Sequence, residues 1–142
     1  MIFRKFFSKT KLIEHNELGT LKYVDDGEST YWEIMKYDKM SLACISGTEA
    51  GPCSAAIVAF SELISDPDKL FSLLDDKFLE IIKPEYDSIS IKDVKVSFKL
   101  HSLTVDSSSK YEFGLLSDSK NIFVESFVRG NQITEIYKDV EF

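Results

Sequence analysis

The stretch from Pro52 to Pro84 most constrains this chain, because it reads as two consecutive helices between two runs of strand-forming residues. Ala56, Ala59, Phe60, Leu63 and Ile64 recur at helical spacing and leave Ser61 and Glu62 on the other face. Asp66-Pro67 then breaks the pattern. A residue before proline is pushed out of the helical region, and proline brings no N–H to an interior turn. With Asp66 as N-cap and Pro67 at the first helical position, a second helix is expected over Pro67–Lys83. It would turn Leu70, Phe71, Leu74, Phe78, Ile81 and Ile82 inward and Asp75, Asp76 and Glu80 toward water, ending at Pro84. At 1.5 Å per residue such a helix is roughly 25 Å long, enough to cross one face of a sheet.

The flanking segments alternate as strands do. Leu12–His15 and Leu18–Val24 precede a turn at Asp25-Asp26-Gly27, and Asp-Gly between strand-forming runs signals a hairpin. Tyr31–Tyr37 follows, with Tyr31, Glu33, Met35 and Tyr37 on one face and Trp32, Ile34 and Lys36 on the other. Met40–Ser46 turns Leu42, Cys44 and Ile45 inward and closes a meander of antiparallel strands. Beyond the helices, Ile89 and Ile91 share one parity, Val94, Val96, Phe98 and Leu100 the other, and Leu103 and Val105 shift again. Strand side chains alternate strictly, so this reading requires breaks near Asp93 and near His101-Ser102. Tyr111, Phe113 and Leu115 make the next strand, and Ile122–Val128 pairs with Ile133–Tyr137 across Gly130-Asn131.

The expected fold is therefore α+β: an antiparallel, twisted sheet in two runs of strands, with helices Cys53–Ser65 and Pro67–Lys83 packed on one face. One domain spans residues 1–142. Its core is expected to hold Leu21, Trp32, Ile34, Leu42, Cys44, Phe60, Leu63, Phe71, Leu74, Phe78, Val96, Phe98, Phe113 and Val124. No run reaches the length of a membrane span. The opening, Met1 to Lys11, interleaves phenylalanines with basic residues and lacks the continuous apolar centre of a signal peptide. It reads as a segment docked on the core, with a membrane-surface anchor as the alternative. Two cysteines, Cys44 and Cys53, are too few for a disulfide framework, which points to reduced thiols and a cytoplasmic location.

A net charge of −7 argues against general nucleic-acid binding, since phosphates would be repelled and no basic stripe is present. It suits a basic protein partner, whose encounter charge complementarity would speed, and it also serves solubility. His15, His101, Cys44 and Cys53 are the only soft metal ligands, and none stands at a metal-binding spacing. Asp25-Asp26-Gly27-Glu28 has the glycine of a calcium loop without its ligand spacing. Gly47–Pro52 lacks the lysine and glycine spacing of a phosphate loop and carries Glu49, which would repel phosphate. No metal or cofactor is expected. The one enzymatic alternative is a cysteine-dependent hydrolase or transferase, with Cys53 as a helix N-terminal thiolate and His15 or His101 as base.

The order of elements also carries a resemblance. A basic-aromatic opening (Phe3 to Lys11) leads to Leu18-Gly19-x-Leu21 and a Tyr31-Trp32 strand. A Gly-Pro loop, a helical pair and a closing hairpin with Gly130 and Ile133 follow. This resembles small bacterial cytosolic domains of unknown function, some of which are immunity proteins accompanying polymorphic or contact-dependent toxins. The resemblance implies an α+β fold and a toxin-neutralising role, and it transfers no catalytic residue. The functional expectation is a non-enzymatic domain that masks a basic toxin domain, acting as a monomer or weak dimer. Its acidic contacts would be Asp75, Asp76 and Glu80 on the long helix with Asp25, Asp26 and Glu28 at the first hairpin. Tyr31 and Tyr37 would be aromatic anchors if the outer sheet face is open, or core residues if it is not. A structural domain self-associating through edge strands is the third alternative, against which Glu135, Lys138, Asp139 and Glu141 charge the last strand.

Overall fold

A computed structural model describes residues 11–140, so the expectation for the basic-aromatic opening lies mostly outside the described residues. In chain order the elements are β1 (Leu12–His15), β2 (Gly19–Asp25), β3 (Thr30–Ile34), β4 (Leu42–Thr48) and a two-residue β5 (Gly51–Pro52). Four helices follow: α1 (Ser54–Ser65), α2 (Asp68–Phe71), α3 (Asp76–Ile82) and α4 (Ile91–Ser97). The chain then returns to strands in β6 (Lys99–Ser107), β7 (Lys110–Ser117), β8 (Ile122–Arg129) and β9 (Gln132–Val140).

The strands join in one open sheet of order β1-β2-β3-β4-β6-β7-β8-β9, with β5 paired to β4. Every pair is antiparallel except β4–β6, which is parallel. Antiparallel neighbours can follow one another through tight turns, whereas a parallel pair needs a long crossover. All four helices lie in that crossover. Gly27 and Gly130, with φ of 90° and 69°, supply the left-handed backbone that the hairpins β2–β3 and β8–β9 require.

Register assigns the faces. Leu21 stands opposite Ile34, Trp32 opposite Ile45, Ile45 opposite Val105, and Leu103 opposite Phe113. These residues join Ala56, Phe60, Leu70, Phe78, Ile82, Val94 and Phe98 from the crossover in one buried cluster. At roughly 1.5–3 kcal/mol for each large apolar side chain withdrawn from water, this cluster dominates the stabilisation of the fold. Gly47 lets β4 turn into β5 beneath Trp32, because a Cβ there would lie 2.7 Å from Gly51 O, Pro52 Cα and Trp32 Cδ1. The Trp32 indole N–H donates to Thr48 O at 3.0 Å, closing the same corner.

The crossover departs from the expected pair of helices. Instead of one helix over Pro67–Lys83 there are two short ones, and Pro67 rather than Asp66 occupies the cap position of the first. The break falls where Asp75 adopts an extended backbone and accepts N–H bonds from Lys77 (3.0 Å) and Phe78 (3.4 Å). An aspartate that caps a new helix cannot also continue an old one. Phe71, Leu74 and Phe78 are nonetheless buried.

The segment 91–97, expected as a strand, is α4. Ser90 and Asp93 form a capping box at its start, where a strand break was expected near Asp93. Helical spacing buries Val94 beside Phe98 and leaves Val96 at 88% exposure, so Val96 is not a core residue. Leu42 is likewise 39% exposed rather than inward. The expected irregularity at His101-Ser102 is present as a register shift between Leu100 and Ser102.

Candidate functional site

The alternate strand residues build the sheet face opposite that buried cluster. One row crosses it by direct register: Lys22, Glu33, Cys44, Thr104, Glu112, Phe127 and Glu135. The next row holds Leu42, Ser102, Gly114, Glu125 and Tyr137. Most positions on this face are half-buried or exposed, but its floor is not: Cys44 is 1% and Ser102 6% exposed.

The carboxylates of this face are unevenly matched. Asp106 pairs with Lys110 at 3.5 Å, and among the described residues Glu33, Glu112 and Glu125 make no ion pair. Glu112 sits half-buried, and burial pushes its carboxyl above the ordinary glutamate range. Glu125 and Asp106 push it further the same way, while Arg129 opposes them. Arg129 spends one N–H on its neighbour's carbonyl, Val128 O, at 3.0 Å. The Cys44 thiol is pushed up to about 12, first by burial and then by Glu33, with Glu112 adding to the effect. Two carboxylates from opposite sides therefore act on one buried thiol. Beside it, the Thr104 hydroxyl oxygen is buried and has no hydrogen-bond partner. A depression of about 210 Å³ opens here, lined by Thr104, Asp106, Lys110, Tyr111, Glu112 and Arg129. On β8 and β9 of the same face Phe127 and Tyr137 meet edge to face at 5.6 Å, and Tyr137 donates to Glu135 at 2.7 Å.

The residues singled out from the sequence do not converge. Asp25 Oδ1 accepts the Gly27 N–H at 2.9 Å, and Asp26 Oδ1 accepts those of Glu28 (2.9 Å) and Ser29 (2.8 Å). These bonds hold the Asp26 carboxyl below its usual range and form the hairpin turn. Glu28 is exposed beside them. Asp75 caps α3, Asp76 opens it and Glu80 is exposed on it. The hairpin belongs to β2 and β3, whereas α3 packs near β9, five strand positions beyond β3. At about 4.8 Å per strand the two acidic groups are roughly 24 Å apart along the sheet.

Tyr31 lies on the open face, half-buried, its hydroxyl raised by burial and then by Cys44, Asp26 and Glu33. Tyr37 falls beyond β3 and packs on Phe60 at 5.7 Å, against the helical layer. The tyrosines thus separate, and Tyr37 is a core-side residue. The sequence assigns Glu33 only to a strand face and does not single out Glu112 or Glu125, although Glu112 interrupts an apolar alternation at the solvent-facing parity in Tyr111-Glu112-Phe113.

Cys53, an exposed free thiol, occupies the cap position of α1 and makes no side-chain capping bond. Its N–H donates to Ser46 O, while His101 O accepts from Ser41 N, both at 2.8 Å. Five residues of β4 separate those two anchor points, which is roughly 16 Å. His101 therefore stands far from Cys53. His15 Nδ1 accepts the N–H groups of Glu17 and Leu18, each at 3.1 Å. That ring nitrogen is thus engaged in the turn between β1 and β2. Among the described residues, no group of three or more His, Cys, Asp or Glu side chains is placed to hold a metal ion. Nor is any helix long and apolar enough to cross a membrane.

Neither a protein-family model nor a curated protein nor a solved structure matches this chain.

Proposed function

We propose that this chain is a non-enzymatic protein-binding domain of the immunity type, which masks a basic toxin domain by surface complementarity. The observation that carries the reading is the open sheet face, where Glu33, Glu112 and Glu125 make no ion pair among the described residues. The net charge of −7 favours the same class of partner, and the resemblance in element order agrees with it. The mechanism needs no chemistry. The acidic face steers a basic partner in, and the Phe127–Tyr137 pair and Tyr31 supply aromatic contact area of the kind that anchors interfaces. The domain acts in the cytoplasm, as a monomer or weak dimer, and requires no cofactor.

The test is co-expression with the product of the gene immediately upstream, scoring growth and complex formation at low salt, where charge steering is strongest. Protection of the cells together with a salt-sensitive complex is expected. Absence of both protection and complex refutes the reading.

A further inference from the structure

We propose that the basic-aromatic opening of the chain, residues 1–10, docks across the open sheet face and is the element that covers it. The docking goes beyond the immunity reading and stands without it, and any partner that uses this face must first displace the segment.

The first observation is a wide sheet with one side uncovered among the described residues. All four helices contribute to the buried cluster of the other side. The open side is nevertheless rich in apolar groups. Leu12 shares the row of Lys22, Glu33 and Cys44, and Leu42 and Tyr137 share the row of Ser102, Gly114 and Glu125. Leu12 is 55%, Leu42 39% and Tyr137 56% exposed. Phe123 and Phe127 lie half-buried on the same face. Apolar area gathered on an uncovered face marks a contact surface.

The second observation is where the opening joins the sheet. Lys11 O accepts the Tyr23 N–H at 3.0 Å, so the chain enters at the rim, ahead of edge strand β1. Ten extended residues reach about 33–36 Å, and the six strand spacings from β1 to β8 span roughly 29 Å. Even coiled as a helix, about 15 Å long, the segment would reach β4. The third observation is complementarity. Ile2, Phe3, Phe6 and Phe7 bring apolar area, while Arg4, Lys5 and Lys9 bring positive charge. They meet a face whose apolar groups alternate with Glu33, Glu112 and Glu125, none in an ion pair among the described residues. Tethering sets the effective concentration of the segment over the face on the order of millimolar, so modest contacts suffice. The helical side offers no such match, because Val58 and Val96 protrude singly from separate helices. An anionic membrane is the poorer occupant for the segment, since the net charge of −7 repels it.

The experiment compares methyl and amide NMR spectra of the full chain with those of a Phe3→Ser/Phe6→Ser/Phe7→Ser variant. Loss of ring-current shifts is expected at the Leu12 and Leu42 methyls and at the amides of residues 33, 44, 102, 114 and 125. The Val58 and Val96 methyls should stay in place, which also reports that the fold survives. Reversing the charges with Arg4→Glu/Lys5→Glu/Lys9→Glu should release the segment and produce the same changes. The receiving side is tested separately. Leu42→Lys, at an exposed position, should move the amides of residues 2–9, and Val96→Lys should leave them unmoved. The proposal is overturned if the triple serine variant moves the Val58 and Val96 methyls instead, or moves nothing on the sheet. It is equally overturned if Leu42→Lys has no effect on residues 2–9. Shifts that fade on dilution would place the opening of a second copy on the face, and they too overturn it.

Discussion

Gly114 lies in the middle of β7 on the open face, where a side chain would meet a wall. A Cβ there would stand 2.1 and 2.4 Å from Phe123 Cζ and Cε2, and 2.3 Å from Ser102 Oγ. Carbon contacts rest at about 3.5–4.0 Å, so Gly114→Ala forces the Phe123 ring back by roughly 1.5 Å and turns the Ser102 hydroxyl. The displaced ring also gives up its edge contact with His101, 6.1 Å between centroids at 77°. In an open strand the same change would stabilise by about 0.5–1 kcal/mol, because glycine loses more backbone freedom on folding. Overpacking costs about 1–3 kcal/mol, so a net loss of about 1–2 kcal/mol is expected. The assay is a double-mutant cycle with Phe123→Ala, read by urea unfolding. Once the ring is gone, Gly114→Ala should approach neutrality, giving a coupling energy of about 1–2 kcal/mol. If the two losses add within about 0.5 kcal/mol, the ring does not occupy the space over Gly114 and this packing is wrong.

Other substitutions test the remaining elements. Glu112→Gln should stabilise the free protein at neutral pH. The folded carboxyl titrates above its unfolded value, so the wild type loses stability as pH rises through that window. Unfolding free energies of the two proteins should therefore converge below the ordinary glutamate range and diverge above it. Iodoacetamide on the native protein should add one adduct, at exposed Cys53, because Cys44 is buried and its thiol is pushed up to about 12. Mass spectrometry should find a second adduct only after denaturation. Val96→Ser, at an exposed helical position, should change stability by less than about 0.5 kcal/mol, while Val94→Ala at a buried one should cost about 2 kcal/mol. Equal losses in thermal unfolding would return this segment to a strand.

Local signals carried most of the architecture. Asp26-Gly27 and Gly130-Asn131 demand left-handed backbone at a hairpin, and both turns are where the residues require them. Two segments carry conflicting local signals. Ile89 to Leu100 satisfies a period of two almost as well as a helical one, and the deciding signal was the cap, Ser90-x-x-Asp93. Asp75-Asp76 within an apolar stripe looked like solvated charge, whereas Asp75 ends one helix register and begins another. The open face was illegible for a different reason. Which strand sits beside β4 depends on a parallel pairing reached only after four helices, and no local pattern encodes it. Cys44 is buried as its alternation requires, but on the face opposite Ile45, beside Glu33 and Thr104. The glutamates that matter were visible singly, but only the β4–β6 and β6–β7 registers bring Glu33 and Glu112 to the same thiol.

An open sheet face needs polarity, and opposite charges across strands would supply it with a gain in stability, whereas like charges subtract from it. The chain has the cations to do this. It spends Lys110 on Asp106, Lys99 on Asp118 and Lys138 on Glu85, and it sets the aromatic Phe127 opposite Glu112 where a lysine would have paired. Glu125 faces Gly114, which offers no counter-charge at all. Beneath them lies a hydroxyl with no partner, where valine would fit without a polar debt. The unpaired glutamates and the Thr104 hydroxyl share one side of the sheet, around the row from Glu33 to Glu112. The helical side carries the apolar core, and it too holds a buried hydroxyl without a partner, at Ser126. A cross-strand lysine opposite Glu112, in place of Phe127, would therefore be expected to stabilise the isolated domain.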